Sequence, residues 1–286
     1  MASPKRRLPA NAPGDFYVDA TCIDCETCNW VAPASFAGGD GNSYVYRQPQ
    51  SDTEIRRAEM ALLACPTGSI GTSGNHDLAA AKGAFPEPIA GEVYHCGYHA
   101  EASFGAASYL VVRERGNVLI DSPRFTAPLV GRLEALGGVR WMFLSHRDDV
   151  ADHRRFHDHF GCERILHADD IGRGTRDVEV VLRGRDPSRL ADDLLAIPVP
   201  GHTRGSACLL YRELFLFTGD HLAGTADGRG VTAFRDACWY DWEELRRSMC
   251  RLGDYRFEWV LPGHGPRAHF PAPAMAAKLR DCVAAM

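Results

Sequence analysis

The stretch CIDCETC at residues 22–28 puts three cysteines in seven residues, and a fourth cysteine, Cys65, stands directly before Pro66. Three cysteines spaced in this way, with a remote Cys-Pro, are typical of thiolates that hold an iron–sulfur cluster. A four-cysteine zinc site is the alternative, but structural zinc usually takes two separated C-x2-C pairs. The pattern therefore predicts one 4Fe–4S cluster, held by Cys22, Cys25, Cys28 and Cys65.

The residues around these cysteines resemble a bacterial-type ferredoxin domain with a single cluster. Two-cluster ferredoxins carry a further cysteine and a proline right after the first three cysteines, and that cysteine serves the other cluster. Here Pro33 is kept, but Ala32 stands at the cysteine position. The resemblance covers residues 14–70 and implies one cluster rather than two.

Composition is typical of an intracellular protein of one or two domains, with 286 residues, 45% of them hydrophobic, and a net charge of −5. The N-terminal residues MASPKRRLPANAPGD are basic but lack the apolar run of a secretory signal. No stretch approaches the roughly 18 apolar residues of a membrane span. Ten cysteines without an export signal favour metal ligation and reduced thiols over disulfides. We therefore expect a cytoplasmic protein that binds no membrane.

The ferredoxin-like part is acidic, which favours docking of a basic redox partner protein and disfavours binding of nucleic acid. Its acidic residues are Asp15, Asp19, Asp24, Glu26, Asp40, Asp52 and Glu54.

Turn residues separate this part from the rest of the chain. The cluster GTSGN at residues 71–75, followed by Gly83 and Pro86, predicts a linker over residues 71–90. Residues 91–286 then form the second domain, in which β-rich runs alternate with turns and a few helices. The predicted strands are 92–96, 108–113, 117–121, 139–144, 163–166, 194–198, 207–211, 214–217 and 258–261, and the predicted helices are 127–136, 151–160, 242–252 and 273–285.

Four of the apolar strands end directly in a side chain that can bind metal. VRWMFLS is followed by His146, LLAIPVP by Gly201 and His202, LFLFTG by Asp220, and EWVLPG by His264. Strand ends that lie at one edge of a sheet bring their loops together, so these side chains are expected to converge on one metal centre.

This part resembles the metallo-β-lactamase superfamily, whose pattern is H-x-H-x-D-H, then G-H-T-x-G-S, then G-D, then G-H. Three of the four elements are intact within residues 91–266, namely GHTRGS at 201–206, FTGD at 217–220 and PGHG at 262–265. The whole chain is similar to ferredoxin–metallo-β-lactamase fusion proteins. That resemblance implies an α+β fold, with an N-terminal ferredoxin-like domain followed by an αββα sandwich that carries metal ions at its rim.

The first element departs from the family pattern. In HRDDVADH at residues 146–153 an aspartate, Asp148, replaces the second histidine, and two extra residues precede Asp152 and His153. The insertion leaves Asp149 open as the alternative to Asp148. By position, the resemblance implies a first site of His146, Asp148 and His202, a second site of Asp152, His153 and His264, and Asp220 as a bridge between the two metals.

The resemblance implies an enzyme with a small-molecule substrate. The G-H-T-x-G-S and F-T-G-D segments look like the glyoxalase II and thioesterase branch, in which a metal-bound hydroxide attacks an ester, thioester or lactone-type carbonyl. Asp152 and Asp220 are the catalytic candidates in that case, although a lone Asp152 before a helix is also a common N-cap.

The alternative is an iron oxidoreductase, because a hydrolase needs no electrons. Flavodiiron proteins, which reduce oxygen or nitric oxide, also have a carboxylate in the first motif, and persulfide dioxygenases use one iron on this scaffold. A redox sensor with a decayed site is a third, weaker hypothesis. The frequency of hydrolases in the superfamily favours hydrolysis. The sequence leaves open whether the metal is zinc or iron and whether one or two ions bind.

Overall fold

The computed structural model describes residues 2–39 and 41–286, so Asp40 of the acidic set lies outside the described residues. The N-terminal part contains two antiparallel strand pairs, β1 with β4 and β2 with β3. The Oγ atom of Ser51 accepts a hydrogen bond from the Glu54 amide at 3.3 Å and so caps the start of the helix that follows. The elements are β1 (Phe16–Val18), α1 (Thr27–Val31), β2 (Phe36–Gly38), β3 (Ser43–Val45), α2 (Asp52–Ala64) and β4 (Ile70–Thr72).

The next elements form a first large sheet. Within residues 87–182 its seven strands have the order β11-β10-β9-β8-β7-β6-β5, and β9 runs parallel to both β8 and β10. The elements are α3 (Ala79–Gly83), β5 (Glu87–Ala90), β6 (Val93–His95), β7 (Tyr109–Val111), β8 (Val118–Ile120), α4 (Ala127–Ala135), β9 (Trp141–Phe143), α5 (His153–Phe160), β10 (Glu163–His167) and β11 (Val180–Leu182).

A second sheet follows, and within residues 188–269 its six strands have the order β12-β13-β14-β15-β18-β19. Strand β15 is antiparallel to β14 and parallel to β18, so β13, β15 and β18 point the same way. The elements are β12 (Ser188–Ala191), β13 (Leu194–Pro198), β14 (Ala207–Tyr211), β15 (Phe215–Gly219), the small pair β16 (Ala223–Gly224) and β17 (Val231–Thr232), α6 (Trp242–Leu252), β18 (Trp259–Pro262), β19 (Ala268–His269) and α7 (Ala272–Ala285).

The two large sheets pack face to face, with helices on their outer faces. Val111 and Phe143 of the first sheet share a buried core with Leu209 and Phe217 of the second. Helices α6 and α7 cover the outer face of the second sheet through residues such as Leu245. Each fully buried side chain of this kind contributes about 1.5–3 kcal/mol, so the layered core dominates the stability.

The N-terminal part packs on the outer face of the first sheet. Val31 and Phe36 belong to the same buried cluster as Leu110 and Leu119 of that sheet and Leu129 of α4. The two parts of the chain therefore share a hydrophobic core, and the loops that join the sheet strands lie beside the cysteines.

The predicted strands and helices of residues 91–286 are present, with bounds within a few residues of those expected. The predicted linker is more structured than its turn residues indicate. Strand β4 extends the N-terminal sheet to Thr72, and the linker also contains α3 and β5, an edge strand of the first large sheet. Strand β5 carries Pro88 and is half-exposed, so it lacks the apolar alternation on which a strand prediction depends.

Candidate metal centres

The candidate ligands follow strands that end at a common rim. Since β13, β15 and β18 point the same way, the loops carrying His202, Asp220 and His264 leave the second sheet at one edge. His146 follows β9 of the first sheet, and its loop meets the other three where the two sheets face each other. The structure thus brings together residues that are more than 100 positions apart in the sequence.

His146 and His202 face each other at the centre of this rim. They are 1% and 2% exposed, and their rings lie 4.7 Å apart at an angle of 90°. Ser145 Oγ is 2.9 Å from His146 Nδ1, whereas His146 Nε2 and His202 Nε2 have no hydrogen-bond partner among residues 2–39 and 41–286. Burial lowers the pKa of His146 to about 4, so the ring is neutral and its free nitrogen can bind a metal.

Two carboxylates point at the same two nitrogens. Asp148 Oδ2 lies 3.9 Å from His146 Nε2 and 3.7 Å from His202 Nε2. Asp220 Oδ2 lies 3.7 Å from each of those nitrogens. The side chain of Asp148 is 45% exposed, whereas that of Asp220 is 11% exposed, so the centre opens to solvent on the Asp148 side.

Asp149 is buried beside this group, and neither of its carboxylate oxygens has a hydrogen-bond partner in the part of the chain that the structure describes. Its Oδ2 and Asp220 Oδ1 both lie against Gly263, where a Cβ atom would come within 2.7 and 2.8 Å of them. Burial, with repulsion from Asp220 and Asp121, raises the pKa of Asp149 well above its usual value. An unpartnered buried carboxylate is costly, and a cation at this point would relieve that cost.

His264 completes the rim from the other side. Its Nδ1 lies 2.8 and 2.9 Å from the two oxygens of Asp220. Burial acts against ionisation of both groups, but their mutual attraction outweighs it, so the pKa of His264 is raised and that of Asp220 is lowered. This Asp220–His264 pair adjoins the carboxylate of Asp149.

Asp152 and His153, which the family pattern offers as ligands, lie outside the metal-binding groups found among the described residues and contact other parts of the chain. Asp152 Oδ2 accepts a hydrogen bond from the Phe125 amide at 2.7 Å and pairs with Arg155 at 3.5 Å. His153 is 3% exposed and accepts a hydrogen bond from Arg164 at 3.2 Å. Both side chains lie at the start of α5, whereas Asp149 belongs with His146 and Asp220 to a group that could hold a metal ion.

Three further residues support the site and were not predicted from the sequence. Asp170 binds the Thr203 hydroxyl at 2.5 Å and the Gly205 amide at 2.8 Å, which fixes the loop of His202. Asp121 accepts a hydrogen bond from the Ser145 amide at 2.7 Å, and burial raises its pKa to about 7. His221 is buried with both ring nitrogens unpartnered. His221 directly follows the recognised Asp220, a signal that was available in the sequence.

The four cysteines of the N-terminal part line one cavity. Backbone amides point at two of the sulfurs, from Asp24 to Cys22 Sγ at 3.4 Å and from Ser69 to Cys65 Sγ at 3.3 Å. Such N–H groups are among the protein contacts that tune an iron–sulfur cluster. Cys22, Cys25, Cys28 and Cys65 therefore fit a cluster.

Residues 18–72 match the family model of the 4Fe–4S single cluster domain of Ferredoxin I. This part of the chain is a single-cluster ferredoxin domain. The matched family holds a single cluster, in agreement with the one cluster predicted from Ala32 at the cysteine position. No curated protein sequence matches the chain.

The remainder of the chain has the metallo-β-lactamase fold. It superposes on DIM-1 metallo-beta-lactamase with a TM-score of 0.53 at 14% identity, over 70% of this chain and 96% of that chain. For BLEG-1 B3 metallo-beta-lactamase the TM-score is 0.51 at 17% identity, over 66% of this chain and 96% of that chain. For FIM-1 from Pseudomonas aeruginosa in the mono-zinc form the TM-score is 0.50 at 18% identity, over 68% of this chain and 93% of that chain.

These comparisons confirm the fold class predicted from the sequence, an α+β chain in which a ferredoxin domain precedes an αββα sandwich. Identities this low establish a shared fold and leave substrate and reaction to be argued from the site. No helix among residues 2–39 and 41–286 combines the length and apolarity needed to cross a bilayer.

Proposed function

We propose that the protein is a metal-dependent hydrolase of a small ester, thioester or lactone-type substrate. The observation that carries this proposal is the pair of buried, unpartnered nitrogens of His146 and His202, which face two carboxylates at a rim open to solvent. Buried polar atoms without partners are rare in folded proteins, and here they share one small volume. A divalent metal ion satisfies them together.

Two neighbouring positions suit metal ions. His146, Asp148 and His202 would hold one ion, with Asp220 as a further oxygen ligand. Asp149 and Asp220, again with His146, form the second group that could hold an ion, and His264 contacts this group through Asp220. A bound divalent ion supplies a water of lowered pKa and polarises the substrate carbonyl. In this proposal Asp149 is the carboxylate that would accept a proton from that water, and Asp220 would contribute to both positions.

The chain's own residues make the remaining contributions. Asp148 is exposed and lies at the open side of the centre, where a substrate enters. Asp170 holds the His202 loop in place through Thr203 and Gly205. The nearby thiol of Cys238 donates to the Gly201 carbonyl, and burial raises its pKa, so it is a poor nucleophile.

An iron oxidoreductase is the second candidate, because the ligand set is unusually rich in carboxylates. Two histidines and one carboxylate with open positions are typical of non-haem iron sites. The ferredoxin domain would then supply electrons to the iron at the rim. Under the hydrolase proposal, the domain would instead dock a partner protein or control the enzyme in response to redox state. A basic redox partner would dock on the exposed residues Glu26 and Asp52, since Asp19 is buried and Asp15 is bonded to His76.

Replacing Cys22 and Cys65 together by serine separates the two functions. Under the hydrolase proposal, thioester turnover per bound metal stays within about twofold of wild type in a double variant whose second domain stays folded, as its melting transition would show, because the carbonyl chemistry needs no electron. The measurement is steady-state hydrolysis of a panel of acyl thioesters and lactones, with metal content determined on the same samples. Turnover that requires an electron donor and disappears with the cluster would favour the oxidoreductase instead.

The variant Asp148→His restores the second histidine of the family's first motif. Removing one negative charge and adding a nitrogen ligand should shift the metal preference from iron towards zinc, by about tenfold or more in relative affinity. Competition between zinc and ferrous iron, followed by metal analysis, measures that shift. The variant Asp148→Asn is the matched control, since it removes the charge without adding an imidazole. An unchanged preference in Asp148→His would show that Asp148 is not a ligand.

A further inference from the structure

The loop between β6 and β7 lies between the two candidate centres, and Gly105 is its point of contact with the cysteines. Gly105 has φ +86°, and a Cβ atom there would come within 2.8 Å of Cys25 Sγ and 3.2 Å of Pro66. Only a residue without a side chain can bring its backbone this close to a cysteine of the cluster cavity. The loop backbone therefore touches one of the candidate cluster ligands.

Hydrogen bonds fix this part of the loop to the ferredoxin domain. The Gly105 carbonyl accepts from Thr27 Oγ1 at 3.2 Å and from His99 Nδ1 at 2.6 Å. The His99 amide donates to the carbonyl of Ala64, the residue before Cys65, at 3.2 Å. His99 is fully buried, and burial lowers its pKa, so the ring is neutral and donates from one nitrogen. The Gly105 carbonyl is thus held from two sides.

The preceding residue contacts the metal rim. The Phe104 carbonyl accepts a hydrogen bond from His264 Nε2 at 3.3 Å, and His264 Nδ1 contacts Asp220. The Ala107 amide donates to the carbonyl of Gly263, the neighbour of His264, at 2.7 Å. One peptide unit, from the Phe104 carbonyl to the Gly105 Cα, therefore separates a side chain of the metal rim from a cysteine of the cluster cavity.

We propose that the Phe104–Gly105 peptide couples the two centres, so that metal at the His264 rim shifts the reduction potential of the cluster. Cluster potentials respond to net charge, hydrogen bonding and solvent exposure. A cation at the rim adds positive charge and changes the hydrogen bond between His264 and the Phe104 carbonyl, next to Cys25. By linkage, reduction of the cluster strengthens metal binding by the same factor. The coupling requires metal binding at the rim and holds for a hydrolase and an oxidoreductase alike.

The test is a redox titration of the anaerobically purified full chain, with and without zinc, followed by electron paramagnetic resonance of the reduced cluster. Zinc is redox-inert, so only the cluster titrates. We expect zinc to favour cluster reduction about tenfold, within the usual range of coupling between sites and equal to 59 mV for a one-electron couple. Zinc affinity of the oxidised and reduced protein, measured by chelator competition, should differ by the same factor.

Two variants test the route of the coupling. Thr27→Val keeps the side-chain shape and removes one donor to the Gly105 carbonyl, and Gly105→Ala displaces the loop from Cys25. Both are expected to reduce the zinc-induced shift to less than half of its wild-type size. Gly131→Ala is the matched control, because no atom lies within 4 Å of its added Cβ, and it should keep the full shift.

Three results would overturn the proposal. One is stoichiometric zinc binding with no change in cluster potential. Another is a Thr27→Val protein that keeps the full zinc-induced shift in cluster potential, because the coupling would then be a through-space effect of charge. This result decides against the proposed route even if Gly105→Ala fails to assemble a cluster. The third is a protein that takes up no zinc at the rim. The test measures cluster potential and zinc affinity and does not use hydrolase activity. It therefore remains valid if the substrate class proposed above is wrong.

Discussion

Replacing Asp149 by asparagine is expected to lower metal affinity at the rim by more than about 100-fold, the upper end of the loss seen for residues that only support a ligand. Its two buried oxygens have no partner among the described residues, and a metal ion would satisfy them. Hydrolytic turnover should fall in parallel. The metal-free variant should be no less stable than metal-free wild type, because asparagine removes an unpaired buried carboxyl group. Metal content and the melting temperature measure both effects.

Asp152→Asn is the matched control, three residues further along the chain. The Asp152 carboxylate accepts from the Phe125 amide, and an asparagine oxygen can do the same, so metal content should be unchanged. The opposite outcome, with metal lost in Asp152→Asn and kept in Asp149→Asn, would restore the ligand assignment expected from the family pattern and refute the one argued from the structure.

Replacing Cys28 by serine is expected to remove the iron–sulfur cluster and to unfold the ferredoxin domain. The domain is about 55 residues by its family match, a size at which folded domains are only marginally stable, so loss of the cluster removes a large share of its stability. Ligand binding to such a domain contributes directly to its folding free energy. The losses should appear as missing iron–sulfur absorbance, loss of acid-labile sulfide and rapid proteolysis within residues 18–72.

Cys250→Ser provides the matched control, because Cys250 is an exposed cysteine of α6. This variant should keep the cluster, the sulfide content and the wild-type melting temperature. A Cys28→Ser protein that keeps full sulfide would contradict the assignment of Cys28 as a cluster ligand. Zinc bound to residues 18–72 in place of iron would contradict the cluster itself.

The general position of the metal rim could be predicted from the sequence, because local patterns determine it. Apolar runs that end in His202, Asp220 and His264 follow strands that point the same way, so their loops meet at one edge. Turn and motif residues such as Gly201 also mark where each strand ends. The spacing of the cysteines predicted the ferredoxin domain for the same reason, since three of them lie in one short segment.

The ligands of the first motif could not be assigned by counting residues. The register beyond His146 depends on whether the two inserted residues extend the loop or the helix, and the structure begins α5 at His153. Packing determines that the inserted residues extend the loop. His153 is buried against Arg164, and Asp149 faces Asp220. A pattern match retains the order of the residues and misses such a shift.

The contact between the two domains could not be predicted from sequence patterns either. His99 and Gly105 lie in an irregular loop, and nothing in their spacing indicates a partner. Their role depends on the ferredoxin domain packing on the outer face of the first sheet, which brings Thr27 and Ala64 to that loop. Long-range packing of this kind follows from matching apolar surfaces and not from a local signal.

The most direct test is a count of metals and acid-labile sulfide in the anaerobically purified protein, made side by side on wild type and on the double variant His146→Ala/His202→Ala. We predict sulfide and iron for one 4Fe–4S cluster in both proteins, as the family match requires. Wild type should hold one or two further metal ions that the variant lacks, because the variant has lost both buried imidazoles. Equal metal content in the two proteins, with sulfide unchanged, would contradict the presence of a second metal centre at the rim.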